Sequence, residues 1–177
     1  MIQRFDQNDS PSMTARLEAV LFAATESLSQ RRLCEILEAD AADVKEALNA
    51  LSERYAGPDR GVELIQIAGG WRILTQPECA DVVRALAGNK SQERLSRAAL
   101  ETLSIVAYKQ PVSRAEVERI RGVGVGPVLR SLIDLDLVKV SGREDGLGRA
   151  LLYSTTREFL DRFGLNTPKD LPASLDL

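Results

Sequence analysis

The sequence contains no histidine, and this absence narrows the chemistry open to the protein. Histidine is the commonest general base, the commonest metal ligand and the side chain that titrates near neutral pH. A Ser-His-Asp or Cys-His catalytic arrangement is therefore excluded, whereas catalysis by carboxylates, lysine or tyrosine remains open. The sequence also lacks a GxxxxGK[ST] loop and any other nucleotide, metal or cofactor motif. We therefore expect no cofactor and no catalytic activity.

Cysteine and long apolar runs are scarce as well. The two cysteines, Cys34 and Cys79, lie far apart and belong to no CxxC pair, which argues against a disulfide framework or a zinc site. We expect both to be reduced and partly buried. No apolar run approaches the roughly 18–20 residues that a membrane span needs. Residues 1–12 lack the apolar region of a signal peptide and are predicted to be disordered, so we expect a cytoplasmic protein.

Neither sign of charge dominates the chain, whose formal net charge is −3. Residues 14–90 carry nine basic and twelve acidic side chains, and residues 94–149 carry ten basic and seven acidic ones. The second half is thus only mildly positive, which is a weak signal for nucleic-acid binding.

Two segments of the chain share one pattern of apolar spacing, from about Met13 to Leu86 and from about Leu95 to Phe163. Each pattern predicts three successive helices. In the first segment these helices cover about 17–28, 31–37 and 42–55. In the second segment the first helix is capped by Ser96 and reaches residue 107, and the others cover 114–120 and 125–134. Ser113 and Glu116 have the spacing of a capping box at the start of helix 114–120.

Strand-like sequence follows the helices in each segment. Residues 62–67 and 71–75 predict a hairpin around Gly69-Gly70, and 137–140 and 151–155 predict another with a longer loop. Closing helices are predicted at 77–86 and 157–163. We therefore predict a mixed α+β, mainly helical fold of two tandem winged-helix domains. The predicted organisation is a disordered N-terminus (1–12), an N-terminal winged helix (13–88), a linker (89–95), a C-terminal winged helix (96–164) and a tail (165–177).

The second segment carries a long, ordered series of motifs. They are LSRAALETLSIVAYKQP at 95–111, RAEVERIRGV at 114–123, and the pairs at 148–149, 152–153, 155–156 and 159–160, followed by FGL at 163–165 and LP at 171–172. Looser matches in the first segment are the helix at 17–22, RGVEL at 60–64 and WR at 71–72. Through these motifs the chain resembles the family of segregation and condensation protein B. Three residues depart from the family pattern: Ala150 replaces a usual proline, and Ser154 and Asp136 replace usual glycines.

The resemblance implies a homodimer of tandem winged-helix protomers that binds segregation and condensation protein A (ScpA). ScpA is the kleisin that bridges the ATPase heads of the SMC protein in the complex that condenses and separates bacterial chromosomes. The chain would then be a non-catalytic accessory subunit, cytoplasmic and associated with the nucleoid through the complex. The family pattern also implies that the N-terminal domain carries most of the dimer contact and that the C-terminal domain binds the partner.

Eight residues are candidates for these two contacts. For the kleisin they are Arg121, Arg130, Arg149 and Tyr153, because the matched motifs concentrate there and because arginine and tyrosine are common interface anchors. For dimerisation they are Leu17, Val20, Leu21 and Phe22, because their helix is apolar over more than one stripe. An aromatic residue on a second wing strand, such as Trp71 or Tyr153, is more often core or dimer seam than an exposed anchor.

A winged-helix transcription regulator that binds DNA is the main alternative, and an enzyme is the least favoured one. DNA affinity depends chiefly on cations that meet phosphates. The first predicted third helix sets Lys45 and Arg54 against three acidic residues, and the second sets Arg130 against Asp134. Since neither helix has a net positive charge, we expect DNA contact to be at most weak and non-specific.

Two loops leave alternatives open. The run Arg121–Gly126 resembles a helix-hairpin-helix turn that holds a phosphate, but glycine there also suits the ordinary turn of a helix-turn-helix. Arg143 and Arg149 suggest a basic wing tip, but Glu144 and Asp145 dilute it, so a solvated loop is the alternative.

Overall fold

The computed structural model describes residues 10–57, 59–87, 95–145 and 148–173. The chain divides into two compact units, Met1–Gly88 and Asn89–Leu177. Most of the stretch predicted to be disordered, 1–12, and most of the predicted linker, 89–95, lie outside the described residues.

The described residues of the N-terminal unit form three helices, a hairpin and a closing helix. The elements are α1 (Met13–Ala23), α2 (Gln30–Leu37), α3 (Ala41–Tyr55), β1 (Val62–Ile67), β2 (Gly70–Thr75) and α4 (Ala80–Ala87), with a 3-10 turn at Pro77–Cys79. Strands β1 and β2 pair antiparallel, with Val62 opposite Thr75 and Ile67 opposite Gly70. The core lies between α1, α2 and α3 and is covered by Leu64 of β1.

The C-terminal unit repeats this order with one more strand. Its elements are α5 (Arg97–Lys109), β3 (Val112–Ser113), α6 (Arg114–Arg121), α7 (Gly126–Asp134), β4 (Val138–Arg143), β5 (Leu151–Thr155) and α8 (Arg157–Phe163), with a 3-10 turn at Pro168–Asp170. The antiparallel sheet has the order β3-β5-β4. Leu165 and Leu171, in the predicted tail, pack against the core of this unit. The predicted fold class, mixed α+β and mainly helical with two tandem winged helices, is confirmed.

In each unit, residues just before the second helix pair with the second wing strand, which the sequence did not predict. In the C-terminal unit this pairing is β3. In the N-terminal unit, Leu28 N–H donates to Trp71 O at 3.0 Å and Trp71 N–H donates to Leu28 O at 2.8 Å. The first helix was predicted to reach Leu28, but it ends at Ala23, because Ala24 is extended and the chain turns toward the sheet.

Serine and threonine caps begin several helices. Ser29 caps α2 and Ser96 caps α5, each accepting a backbone N–H at 3.2 Å. The capping box predicted for Ser113 and Glu116 is wrong: Ser113 makes no side-chain cap, and both Glu116 oxygens accept hydrogen bonds from Arg119, at 2.6 and 2.8 Å.

The structure also bears on the predictions for Asp136, for the two cysteines and for membrane spans. Asp136 has a φ of 53°, so it occupies a left-handed turn position, which aspartate tolerates better than most residues other than glycine. Cys34 and Cys79 are free and half-buried, as predicted. Among the described residues, no helix combines the length and apolarity that a membrane crossing requires.

Candidate functional site

Arg121, one of the four candidate kleisin contacts, bonds to other residues of the C-terminal unit. It ends α6, and its side chain is only 14% exposed. Nη1 donates to Ala98 O at 2.8 Å and to Thr102 Oγ1 at 3.0 Å, and Nη2 lies 3.1 Å from Glu101 Oε2. These contacts, which we term the Arg121 brace, tie the end of α6 to α5.

Tyr153 is also internal. It lies on β5, the central strand, opposite Val112 of β3 and Val140 of β4, and it is 9% exposed within the core. Because Tyr153 belongs to the hydrophobic core of this unit, little of its side chain is left for a direct contact with a partner.

The other two candidates, Arg130 on α7 and Arg149 before β5, are exposed. Arg149 has a φ of 41°, and its carbonyl accepts a hydrogen bond from Arg143 Nη1 at 3.2 Å. No hydrogen bond or ion pair within the described ranges occupies either the Arg130 or the Arg149 guanidinium. The four predicted residues thus separate into two internal and two exposed ones.

The glycine-rich run is the turn between α6 and α7. Gly122 ends α6 in the left-handed conformation, with a φ of 70°. At the start of α7, Val125 N–H donates to Glu118 Oε1 at 2.9 Å, and Arg114 Nε donates to the same oxygen at 2.8 Å. These two contacts hold the pKa of the Glu118 carboxyl below its usual range, and the hydrogen bond from the Val125 backbone has the larger effect.

A carboxylate therefore already lies at the end of α7 where a phosphate would bind. Any phosphate there would meet the Glu118 charge, which opposes anion binding at this helix N-terminus. Gly126 is explained by the same cluster, because a Cβ at this position would lie 3.1 Å from the Arg114 guanidinium carbon. The structure favours the helix-turn-helix turn over the phosphate-binding alternative.

The four candidate dimer residues also separate by burial. Leu17 and Leu21 are 0% and 2% exposed and form part of their own unit's core, and Val20 packs against that core. Phe22 points elsewhere on α1 and is 82% exposed. Of the four, Phe22 offers the largest apolar surface to a second subunit.

Two further apolar surfaces were not identified from the sequence. On α4, Val82 and Leu86 are 70% and 89% exposed, whereas Asp81 and Arg84 pair at 3.0 Å. The two apolar residues lie on one side of the helix and the two charged residues on the other. This spacing is the sequence signal that could have indicated an amphipathic helix with an uncovered apolar face.

The second surface is a groove of about 150 Å³ between α5 and α8, which we term the α5–α8 groove. Its lining includes Leu100, Ser104, Tyr108, Phe159, Phe163 and Leu171. The spacing of Phe159 and Phe163, four residues apart on α8 with ring centroids 4.7 Å apart, was its available sequence signal.

Comparison with known proteins decides the family. The family described as "Segregation and condensation complex subunit ScpB" matches residues 15–174. The chain therefore belongs to the ScpB family.

The chain is similar in sequence to individual ScpB proteins over most of their length. The chain is 45% identical to segregation and condensation protein B of Desulforamulus reducens over 156 residues, covering 88% of this chain and 86% of that protein. It is 47% identical to the Listeria monocytogenes protein over 162 residues, covering 90% and 82%. The crystal structure of ScpB from Mycobacterium tuberculosis is 35% identical, covers 86% of this chain and 94% of that one, and has a TM-score of 0.41.

Proposed function

We propose that this protein is a non-catalytic accessory subunit of the bacterial SMC–kleisin condensin complex. It binds the kleisin ScpA and supports chromosome condensation and segregation, in the cytoplasm and at the nucleoid through the complex. The observation that carries this proposal is the ScpB family match over residues 15–174, together with identities of 45% and 47% over about nine-tenths of the chain.

The C-terminal unit is the proposed kleisin-binding part. Arg130 and Arg149 are exposed, and none of the described residues bonds to their guanidinium groups, so these groups can form bidentate hydrogen bonds with a partner's carboxylates. Arg121 and Tyr153 would act on this surface from inside, by fixing α6 and β5. Arg149→Glu should weaken the kleisin complex by about 1–3 kcal/mol, as for an exposed anchor. Arg31→Glu, on exposed α2 of the other unit, is the control and should bind as the wild type does.

The N-terminal unit is the proposed dimerisation part. An exposed phenylalanine such as Phe22 loses contact with water when a second subunit covers it, and this burial is favourable. Light scattering at micromolar concentration should give twice the 19.4 kDa chain mass. Phe22→Glu should give a monomer, whereas the control Ile36→Glu, at a less exposed apolar position on α2, should leave the dimer intact. A wild-type protein that is strictly monomeric would contradict this part of the proposal.

Co-expression with ScpA from the same genome tests the proposal as a whole. An affinity tag on the kleisin should retain this protein through purification at physiological salt. Recovery of the kleisin without it, while both proteins are soluble, would count against the proposed function.

A further inference from the structure

The first turn of α6 begins without a side-chain cap. Ser113 occupies the N-cap position, but its hydroxyl accepts no hydrogen bond from the α6 backbone. Glu116, which could have reached back toward the cap, is instead held by Arg119 at 2.6 and 2.8 Å. The first backbone N–H groups of a helix have no partner within the helix and carry a partial positive charge. Since no side chain of the described residues caps these groups in α6, they can bind an acceptor from another molecule.

The Ser113 hydroxyl is a second polar group that lacks a partner at this point. The residue is only 8% exposed, and its hydroxyl forms no hydrogen bond with any described residue. Buried hydroxyls usually have a hydrogen-bond partner, because burying one without a partner is unfavourable. The Oγ atom is not fully covered, and Ser113 lines a cleft at the start of α6. An acceptor in this cleft would therefore meet both the hydroxyl and the N–H groups of α6.

The cleft, which we term the α6 cleft, has a volume of about 490 Å³. Besides Ser113, its lining combines apolar and charged residues, which are Pro111, Val112, Ala115 and Leu152, and Lys109, Glu116, Arg119 and Glu144. Arg119 neutralises Glu116, whereas Lys109 is exposed and forms no ion pair with the described residues. The cleft thus offers one unpaired cation and several hydrogen-bond donors beside an apolar surface.

We propose that the α6 cleft binds the carboxylate of an aspartate or glutamate of the kleisin, which caps α6 from outside. This inference rests on the proposed function, because it names one contact of the kleisin complex. The carboxylate would accept hydrogen bonds from the first N–H groups of α6 and from Ser113 Oγ, and Lys109 would balance its charge. The apolar lining would contact neighbouring side chains of the same kleisin segment. Glu144 favours this single charge over the many phosphates of DNA, which it would repel.

Ala115→Glu tests the proposal by placing a carboxylate of the chain itself in the cleft. Ala115 is the exposed second residue of α6, where an acidic side chain suits the helix start, so the variant should keep its fold in circular dichroism. Titration calorimetry of the full chain with ScpA should show that affinity falls by about tenfold or more. The uncharged Ala115→Gln should stay within about threefold of the wild type, as should Ala98→Glu, at the exposed second position of α5 outside the cleft. Equal affinities of Ala115→Glu and Ala98→Glu would overturn the proposal.

A second measurement requires no kleisin. In NMR spectra of the wild-type full chain, sodium acetate that replaces sodium chloride at constant ionic strength should shift the Ala115 and Glu116 amide signals saturably. Ala115→Glu should abolish this response. An acetate response without any ScpA binding would refute the proposed function and leave the carboxylate site in place. No acetate response, or amide signals that respond to duplex DNA at physiological salt and not to ScpA, would overturn the proposal.

Discussion

Replacing Arg121 with alanine should destabilise the C-terminal unit. The guanidinium makes hydrogen bonds of 2.8 Å to Ala98 O and 3.0 Å to Thr102 Oγ1, beside an ion pair of 3.1 Å to Glu101. Hydrogen bonds to a charged group contribute about 1.5–3 kcal/mol, and a half-exposed ion pair adds less than about 1 kcal/mol. Thr102 Oγ1 still donates to Ala98 O at 2.8 Å in the variant, so neither group is left without a partner. We therefore expect a loss of about 2 kcal/mol, at the low end of the combined range.

Arg130→Ala is the matched control for this prediction. Arg130 is exposed, and truncating such a side chain changes stability by less than about 0.5 kcal/mol. Hydrogen exchange of the α5 and α6 amides should be followed in urea, because two units need not unfold together. Arg121→Ala should lower protection in α5 and α6, and Arg130→Ala should not. Equal protection in both variants would refute the Arg121 brace, and a loss of kleisin affinity in Arg121→Ala without any loss of protection would make Arg121 a direct contact.

Three further predictions follow from local structure. A Cβ on Gly70 would lie 2.7 Å from the Leu28 carbonyl carbon, so Gly70→Ala should destabilise the N-terminal unit by about 1–3 kcal/mol in a denaturation followed by Trp71 fluorescence. Gly69→Asn, at an open position with a φ of 72°, should cost little, and equal losses would refute the steric argument. Burial is the larger cause, and a hydrogen bond to Glu18 the next, of a rise in the pKa of Tyr55 from 10.0 to about 12. The stability that the protonated Tyr55 side chain contributes is therefore complete below pH 10 and is lost as the pH rises toward 12. Tyr55→Phe should flatten this alkaline loss, and an unchanged pH profile would exclude Tyr55 as its cause. DNA binding measured by fluorescence anisotropy should be weak, indifferent to sequence and largely absent at physiological salt, whereas a tight, specific operator would favour the transcription regulator.

The helices and hairpins could be predicted because their signal is local. Apolar spacing within a few residues marks each helix, and α8 was predicted with its observed bounds, Arg157–Phe163. The pairing of β3 with β5 and of Leu28 with Trp71 depends on residues about 40 positions apart. A two-residue strand or a single bridge leaves no periodic pattern, so neither pairing could be predicted from the sequence.

The candidate site was harder to predict, because burial depends on what the rest of the unit places around a side chain. Arg121 looks like a surface residue in the sequence, and only the approach of α5 gives its guanidinium internal partners. Leu17 and Phe22 were equally apolar candidates on one helix, yet Leu17 is buried in the core of its unit and Phe22 is exposed. Residue type indicated which side chains are able to anchor a partner, and tertiary packing decided which of them reach the surface.

Titration calorimetry of the purified full chain with purified ScpA kleisin tests the central claim most directly. The account predicts a saturable complex at physiological salt, which Arg149→Glu weakens by about 1–3 kcal/mol and Arg31→Glu leaves unchanged. Circular dichroism should show that both variants keep the fold. The absence of any saturable binding between the two folded wild-type proteins would contradict the account.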